Sequence, residues 1–585
     1  MTSDVLKIAN CSGFYGDRLS AAREMVEGGP IDVLTGDYLA ELTLLILLKD
    51  RFKDANLGYA RTFLRQLEQV AAACVQRGIK IVVNAGGLNP AGCAAAARAV
   101  YDTLGLEAVV AHVEGDDLMP KLEALQAAGE RFVHLDKGTP LASLQAPVMS
   151  ANAYLGGFGI AAALEHGADV VICPRVTDAA LVVGPAAWRF GWRRDDWDAL
   201  AGAVVAGHII ECGAQCTGGN YSFFAEVPRL HRPGFPIAEL RADGSSVITK
   251  HPGTDGLVSV GTVTAQLLYE IAGPRYPNPD VTARFDTIQV AQEGPDRVLV
   301  SGVRGEPPPP TTKVCINHAG GWKNSMTFIL TGLDIEAKAQ LAEETLWELV
   351  GGRAQFAESK VTLRRGDRPD PASNEDAFAY LTIAVRDADR DKVGRPFSNA
   401  AIEMALANYP GFTGTGPPGE ASQVGVYWPA LVDSDAVDHR VIVGDTRVDI
   451  LPVALPESFP PPPVAAVALP PAPGGATRAV PLGVLCGARS GDKGGNANVG
   501  VWARTPPAYA WLASFLTVAR LRELISEARE LEVECFELPN LLALNFVVKG
   551  LLGDGVAASL RSDPQAKTLG EYLRAKLVPI PTALL

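Results

Sequence analysis

Short apolar runs alternate with longer stretches of helical periodicity over residues 5 to about 225. An apolar run of four to six residues followed by apolar positions every three to four residues indicates a strand followed by a helix. Repeated units of this kind predict βαβ connections and a parallel sheet. The predicted helices include Gly58–Arg77 and Ala91–Leu104. The predicted strands are Leu6–Ala9, Asp32–Thr35, Ile79–Asn84, Glu107–His112, Phe132–Leu135 and Asp169–Cys173.

The pattern becomes richer in strands and turns from about residue 226 and regains a helix near residue 334. A long amphipathic stretch, Asp334–Val350, predicts a helix between strand-like segments. We interpret residues 226–451 as a β-rich second lobe. Its predicted strands are Asp286–Ala291, Arg297–Gly302, Ser325–Thr331, Lys360–Arg364 and Tyr380–Val385.

Nine prolines between Pro452 and Pro473 predict an extended, semi-rigid linker, because proline favours the polyproline conformation and cannot donate a backbone hydrogen bond. The remaining chain, from residue 480 to 585, has the length of one small domain. Its pattern predicts a strand, a loop, a strand, a helix over Tyr509–Ala528, two further strands and a helix. The predicted later elements are Leu531–Phe536, Leu541–Val548 and Gln565–Leu577.

The fold class that follows is α/β. We expect a large N-terminal parallel-sheet α/β region over residues 1–451, with possible sub-lobes 1–225 and 226–451. A linker over 452–479 would join it to a small C-terminal α+β domain over 480–585.

Charge and composition narrow the functional classes. The 585-residue chain carries a net charge of −14, which argues against nucleic acid and anionic membrane surfaces as partners. Nine scattered cysteines and an N-terminus without a basic, apolar leader pattern favour a cytoplasmic protein with reduced thiols. No dinucleotide or nucleotide-triphosphate loop motif is present in the sequence, so such enzymes are disfavoured. We expect a small-molecule substrate and a homo-oligomer.

The glycine-rich stretch from Ala488 to Gly500 is the most distinctive chemical feature of the sequence. Glycines allow backbone N–H groups to converge on an anion, and lysine and arginine add positive charge. A plain hairpin loop with solvated charges is the alternative interpretation. The candidate binding residues of this stretch are Ser490, Asp492, Lys493, Asn496 and Asn498, beside Arg489.

Polar side chains also follow several predicted strands of the large region. Since ligands of open α/β sheets bind beyond the carboxyl ends of the strands, these side chains predict a site. Asp37 is a candidate acid or base, or a helix cap. Asn84 is a candidate ligand contact, or a turn residue like Asn10 and Asn89. Arg175 is a candidate anion anchor, or forms a structural ion pair with Asp178.

His208, Cys212 and Cys216 recur every four residues, which would place them on one face of a helix. Such a set suits a zinc ion, but glycines nearby and the frequency of cysteine in protein cores favour a structural role, and we predict no metal. Cys216 remains a candidate nucleophile that lacks an evident base. Asn220 and Tyr221, in the polar loop that follows, are candidate substrate contacts.

Five segments together resemble the acyclic terpene utilisation (AtuA) family. They are ARSGDKGGNANVG from Ala488, GDYLAE from Gly36, NAGGLNP from Asn84, PRVTDAALVVGPAAW from Pro174 and TGGNYSFF from Thr217. The resemblance covers nearly the whole chain. It implies a ferredoxin-like fold for the C-terminal domain and a role in the catabolism of acyclic terpenes.

Three functions are compatible with these features. The first is an enzyme that acts on a branched acyl-CoA thioester as a lyase or hydratase, with Asp37 and Asp178 in acid–base roles. Coenzyme A would enter as part of the substrate, and no tightly bound cofactor is predicted. The second is a non-catalytic accessory protein of the acyl-CoA carboxylase pathway. The third is a thioester hydrolase that uses Cys216 or Ser490, which lacks a nucleophile-elbow motif.

Overall fold

The structure is a computed structural model that describes residues 4–585. Over residues 4–270 the strands are β1 (Val5–Asn10), β2 (Val33–Gly36), β3 (Lys80–Val83), β4 (Val110–Glu114), β5 (Val148–Ala153), β6 (Val170–Ile172), β7 (Pro236–Arg241) and β8 (Ser246–Lys250). The helices are α1 (Ala21–Glu27), α2 (Glu41–Lys53), α3 (Arg61–Arg77), α4 (Pro90–Leu104), α5 (Leu122–Ala127), α6 (Phe158–Glu165), α7 (Ala180–Phe190), α8 (Trp197–Ile210) and α9 (Val260–Leu267).

The middle of the chain is dominated by strands. They are β9 (Arg275–Pro277), β10 (Thr282–Arg284), β11 (Gln289–Gly294), β12 (Arg297–Ser301), β13 (Arg304–Glu306), β14 (Thr311–Thr331), β15 (Glu358–Arg365), β16 (Phe378–Asp387), β17 (Thr413–Gly414), β18 (Ser422–Asp433), β19 (Arg440–Val443) and β20 (Thr446–Asp449). Three helices accompany them: α10 (Ile335–Leu349), α11 (Arg390–Val393) and α12 (Arg395–Glu403).

The C-terminal part begins after residues 450–476, which contain neither helix nor strand. Its strands are β21 (Thr477–Pro481), β22 (Cys486–Lys493), β23 (Asn496–Ala503), β24 (Val533–Leu538), β25 (Ala543–Val548) and β26 (Leu577–Pro581). Its helices are α13 (Pro506–Phe515), α14 (Val518–Leu524) and α15 (Leu569–Arg574).

An eleven-stranded sheet organises the large region, in the order β11-β12-β8-β7-β1-β2-β3-β6-β4-β19-β20. The five central strands, β1 to β3 with β6 and β4, pair in parallel, and antiparallel strands extend both edges. The central strands β3 and β6 consist almost wholly of buried Val and Ile, as expected for parallel strands covered by helices on both faces. The predicted α/β class is therefore confirmed.

A second sheet is built on the long strand β14, which pairs with β16, β17, β18 and β5. Strand β5 comes from the first part of the chain, and β19–β20 return from the middle part to the large sheet. The two parts of the large region are therefore interwoven rather than sequential.

The C-terminal strands β22, β23, β25 and β24 form a four-stranded antiparallel sheet. Helices α13 to α15 cover one face with a separate apolar core, and the other face lies against the end of α9. This arrangement is the predicted α+β domain. The predicted domain limits at residues 451 and 480 remain a prediction.

Three predicted elements are wrong. Phe132–Leu135 forms no strand, because the His134 ring accepts hydrogen bonds from the backbone N–H groups of Asp136 and Lys137 and closes a turn. The helix predicted over Tyr509–Ala528 is two helices, because Thr517 caps a new one after Phe515. The glycine-rich stretch is mostly a hairpin, since β22 and β23 leave only Gly494 and Gly495 as its turn.

Within residues 4–585, none of the helices combines the length and the apolar character needed to cross a bilayer.

Candidate active site

The polar ends of three neighbouring strands meet at the carboxyl edge of the large sheet. Asp37 follows β2, and its Oδ1 accepts a hydrogen bond of 2.5 Å from Asn84 Nδ2 beyond β3. The Asn84 Oδ1 in turn accepts from the N–H of Tyr38 at 2.7 Å. Beyond β6, Arg175 Nη1 donates to Asp178 Oδ1 at 2.8 Å. The structure therefore brings Asp37, Asn84, Arg175 and Asp178 together, as the strand-end argument predicts.

Of the two alternative roles, the helix cap for Asp37 is wrong and the ion pair of Arg175 with Asp178 is present. Asp37 is not a helix cap, because α2 begins at Glu41 with Ala40 at the N-cap position. Arg175 does form the ion pair with Asp178, and its guanidinium also stacks on the Tyr154 ring at 4.1 Å. Its Nε atom is buried and has no hydrogen-bond partner among the described residues. An arginine with one free donor direction is suited to bind a further oxygen atom.

Glu41 is a functional candidate that the sequence argument treated as a cap or a solvated side chain. It lies in the first turn of α2, and its Oε1 accepts a hydrogen bond of 2.6 Å from the Tyr154 hydroxyl. Lys313 of β14 lies 3.5 Å from the same oxygen. Although burial opposes ionisation, the charges of Lys313 and Arg175 hold the pKa of Glu41 well below its ordinary value. Glu41 is therefore a carboxylate at any physiological pH.

Two further carboxyl groups of the site come from unrelated parts of the chain. Glu211 follows the C-terminus of α8, and Glu270 follows α9. Burial and the negative charges of Asp178 and Glu270 raise the pKa of Glu211 well above its ordinary value. Burial, Asp492 and Glu41 do the same for Glu270. Burial with Asp178 and Glu211 also raises the pKa of Asp37. These shifts favour the protonated forms of the three carboxyl groups, in the direction opposite to the shift of Glu41.

These side chains lie deep in the protein, and several of them remain partly accessible. Protein encloses Glu41, Glu270 and Lys313, yet they keep 31%, 39% and 36% of their side-chain surface accessible. Groups that are surrounded by protein and still accessible line a recess. We call this recess the charged chamber. Its lining residues are Asp37, Glu41, Tyr154, Arg175, Asp178, Glu211, Glu270, Lys313, Asp492 and Lys493.

The C-terminal hairpin β22–β23 completes this chamber from the same chain. Lys493 Nζ donates to the carbonyl oxygen of Glu270 at 2.7 Å, and Asn498 Oδ1 accepts from the N–H of Glu270 at 2.8 Å. Glu270 has a φ of 56°, a left-handed conformation that is strained for a non-glycine residue. The hairpin therefore holds Glu270 in place by both of its backbone polar groups.

The other predicted residues of the hairpin have different partners. Burial and the nearby charge of Lys313 lower the pKa of Lys493 to about 8, and burial with the charge of Glu41 raises that of Asp492 to about 7. Asn496 Nδ2 donates to Asp136 Oδ1 at 2.6 Å, which fixes the hairpin tip to the large region. Ser490 Oγ donates to the carbonyl oxygen of Ala566 at 2.6 Å, inside its own domain.

Cys212 and Cys216 are neither activated as nucleophiles nor grouped with His208 for metal binding. Helix α8 ends at Ile210, so His208, Cys212 and Cys216 do not share one helical face. Within residues 4–585, no group of three or more His, Cys, Asp or Glu side chains is placed to hold a metal ion. Burial raises the pKa of Cys216 to about 12, and burial with Glu211 raises that of Cys212. A thiol of this kind stays protonated and is a poor nucleophile.

Two clefts flank the chamber. One, of about 560 Å³, has Tyr154 on its wall with mostly apolar neighbours, and we call it the proline cleft; they include Leu155, Phe158, Pro308, Pro309, Pro310, Leu451 and Leu455. The other, of about 310 Å³, lies between the loop around Tyr221 and the C-terminal domain. We call it the seam cleft; its lining residues are Asn220, Tyr221, Ser222, Phe224, Ala488, Arg489, Ser490, Lys567, Gly570 and Glu571.

The fold and the chamber define a mixed α/β protein whose ionisable cluster is completed by a small ferredoxin-like domain. A family model described as acyclic terpene utilisation family protein AtuA matches residues 6–443, and one described as AtuA ferredoxin-like domain matches residues 480–579. The chain belongs to this AtuA family, and membership implies involvement in acyclic terpene utilisation. No curated protein and no solved structure matches the chain.

Proposed function

We propose that the protein is a catabolic enzyme that acts on the coenzyme A thioester of an acyclic terpenoid or other branched acid, as a hydratase or lyase. One observation carries this proposal: in the charged chamber the charges of Lys313 and Arg175 lower the pKa of Glu41 against the effect of burial, whereas burial and Asp178 raise the pKa of Glu211. A general base and a general acid in one site are expected to be two carboxyl groups whose surroundings shift their pKa values in opposite directions.

The residues of the chamber account for each part of a hydration. Glu41 accepts a proton from water as the water oxygen bonds to the β-carbon of an unsaturated thioester. The electron pair of the C=C bond moves to the thioester carbonyl, which becomes an enolate oxyanion. Arg175 and Lys493 supply positive charge for that oxyanion. Glu211 then delivers a proton to the α-carbon, and proton return from Glu41 to Glu211 resets the site.

The same groups run the reverse elimination. They also support a carbon–carbon cleavage in which a base removes the proton of a β-hydroxyl group and the α-carbon leaves as an enolate. Asp178 acts here through its negative charge, since it contributes to the raised pKa of Asp37, Glu211 and Glu270. The proline cleft offers the apolar wall that a branched hydrocarbon chain requires, with Tyr154 between it and Glu41.

The two other candidate functions have weaker support. A hydrolase would need an activated nucleophile, whereas Cys216 keeps its proton and Ser490 is bound to backbone groups. An accessory protein has no need for a chamber in which six acidic side chains are enclosed with three cations. The six are Asp37, Glu41, Asp178, Glu211, Glu270 and Asp492, and the cations are Arg175, Lys313 and Lys493.

Incubation with a panel of saturated, unsaturated and 3-hydroxy branched acyl-CoA thioesters, followed by mass spectrometry, tests the proposal. Gain or loss of water marks a hydratase, and fragment loss marks a lyase. Glu211→Gln should lower kcat by about 10²- to 10⁴-fold, the usual contribution of a general acid. Glu68→Gln, on the exposed face of α3, is the matched control and should keep wild-type activity. Release of free coenzyme A would indicate a hydrolase instead, and no change of any thioester would favour the accessory role.

A further inference from the structure

The seam cleft contains a buried arginine that forms no ion pair with the described residues, although the charge of Glu270 acts on it from a greater distance. Arg489 is 5% exposed, yet no carboxylate lies within ion-pair distance of its guanidinium anywhere in residues 4–585. Its protein contacts are a hydrogen bond to Gln215 Oε1, which is neutral, and the face of the Tyr269 ring at 4.1 Å. A buried cation without a counter-ion is costly, so such a group is retained where a ligand supplies the negative charge.

A second cation shares the same aromatic ring. Lys567 Nζ lies 4.4 Å from the centre of the Tyr269 ring and donates to its hydroxyl group. The carboxyl group nearest to Lys567 is that of Glu270, at 3.6 Å, and burial together with Asp492 raises the pKa of that carboxyl. The other acidic residue of the cleft, Glu571, is already paired with Arg574 at 2.6 Å. The cleft therefore has an excess of positive charge.

Burial acts on both cations in the same direction. It lowers the pKa of Arg489 and of Lys567 from their ordinary values, as expected for positive charges that lack full compensation. The cleft also has a neutral hydrogen-bonding group, the exposed side chain of Asn220. A cavity of about 310 Å³ accommodates a phosphate or carboxylate group with its adjoining atoms, although not a whole coenzyme.

We propose that the seam cleft binds an oxyanion group of the substrate, with Arg489 as a two-pronged anchor and Lys567 as a second cation. This inference rests on the proposed function. A coenzyme A thioester carries phosphate groups, and an acyl chain that has been carboxylated carries a terminal carboxylate. A phosphate group and a carboxylate group each have two oxygen atoms that can accept the two parallel hydrogen bonds of an arginine guanidinium. Because the cleft includes residues of both domains, the anion would also hold the C-terminal domain against the large region.

Calorimetric titration of the full-length protein separates the two sources of the anion. The probes are free coenzyme A, its dephospho form, inorganic phosphate and glutarate. Binding of coenzyme A that weakens on removal of the ribose phosphate assigns that phosphate to the cleft. Binding of glutarate but not of phosphate assigns a carboxylate. Absence of binding for all four probes would overturn the proposal.

Substitutions then locate the binding. Arg489→Gln should weaken the probe that binds by about 10- to 100-fold, since a charge-assisted contact is worth about 1.5–3 kcal/mol. Arg489→Lys should weaken it by about 10-fold, because an ammonium group lacks the planar fork. Lys567→Gln, at a partly exposed position, provides an independent variant if Arg489 proves necessary for folding. Arg520→Gln, an exposed arginine paired with Glu523, is the matched control.

Unchanged affinity in both Arg489→Gln and Lys567→Gln would refute this inference, whatever the enzyme turns over. Binding that depends on Arg489 in a protein that converts no thioester would support this inference and would instead count against the proposed function.

Discussion

Substitution of one glycine by alanine, Gly500→Ala, tests whether the C-terminal hairpin closes the chamber. Gly500 lies in β23, where it pairs with Arg489 on one side and Asn545 on the other. A Cβ atom placed on Gly500 would lie 2.5 Å from Leu268 Cβ and 3.1 Å from the Leu268 carbonyl oxygen. Leu268 directly follows α9 as its C-cap, two residues before Glu270. Gly500→Ala therefore forces the hairpin and the backbone near Glu270 apart.

The size of the effect follows from these distances. Carbon atoms in contact are normally separated by about 3.5–4.0 Å, so the sheet must move by roughly 1 Å at this point. Overpacking of this kind costs about 1–3 kcal/mol. A shift of about 1 Å also lengthens the two hydrogen bonds that Lys493 and Asn498 make to the backbone of Glu270, which are now 2.7 Å and 2.8 Å long. Lys493 should then lie in a more solvated position.

Two measurements check this prediction. Urea unfolding reports the loss of stability. Labelling with acetic anhydride over a range of pH, followed by peptide mass spectrometry, reports the pKa of Lys493, which burial and Lys313 lower to about 8 in the wild-type protein. The pKa should move up toward the ordinary value of 10.5 in Gly500→Ala. Gly474→Ala is the control, because a Cβ there meets no atom within 4 Å. Wild-type stability together with a Lys493 pKa still near 8 would refute the reasoning.

Three further predictions concern charge. Burial raises the pKa of Asp116 from 3.8 to about 7, so the stability that this group contributes is present below about pH 4 and is lost as the pH rises to about 7. The free energy of unfolding, measured at pH 4 and pH 8, should therefore fall by about 2–4 kcal/mol less in Asp116→Asn than in the wild-type protein. An equal fall in both proteins would contradict this prediction. Lys313→Met should raise the pKa of Glu41 by about 1–3 units and move the acidic limb of the kcat/KM profile to higher pH, whereas an unmoved limb would exclude Glu41 as the base. Cys212→Ala should keep kcat within about threefold of wild type, because the thiol is protonated, and a loss of 10²-fold or more would show that it takes part in the chemistry.

Helices and strands could be predicted from the sequence wherever interactions between residues close in the chain determine them. Helix α4 begins at Pro90 because Asn89 Oδ1 accepts a hydrogen bond from the N–H of Gly92, and it ends at Leu104 because Gly105 adopts a left-handed conformation. The central strands were predictable from their continuous apolar runs. Phe132–Leu135 has the same apolar character, but side-chain to backbone bonds from His134 determine its path, and periodicity does not register such bonds.

The residues of the candidate site also fall into two groups: those that the local sequence predicts and those that only the tertiary structure brings into the site. Asp37, Asn84, Arg175 and Asp178 could be identified from the sequence, because parallel strands place the residues that follow them at one edge of the sheet.

The strand-end argument could not identify three other residues of the site, because none of them follows a strand of the parallel sheet. Glu211 follows α8, Glu270 follows α9, and Lys313 lies within β14. Their ionisation states depend on which charges the fold brings near them, and those charges lie far apart along the chain. Glu41 shows the difference most directly. The sequence places it four residues after Asp37, but only tertiary contacts let Lys313 and Tyr154 lower the pKa of Glu41 while burial raises that of Asp37.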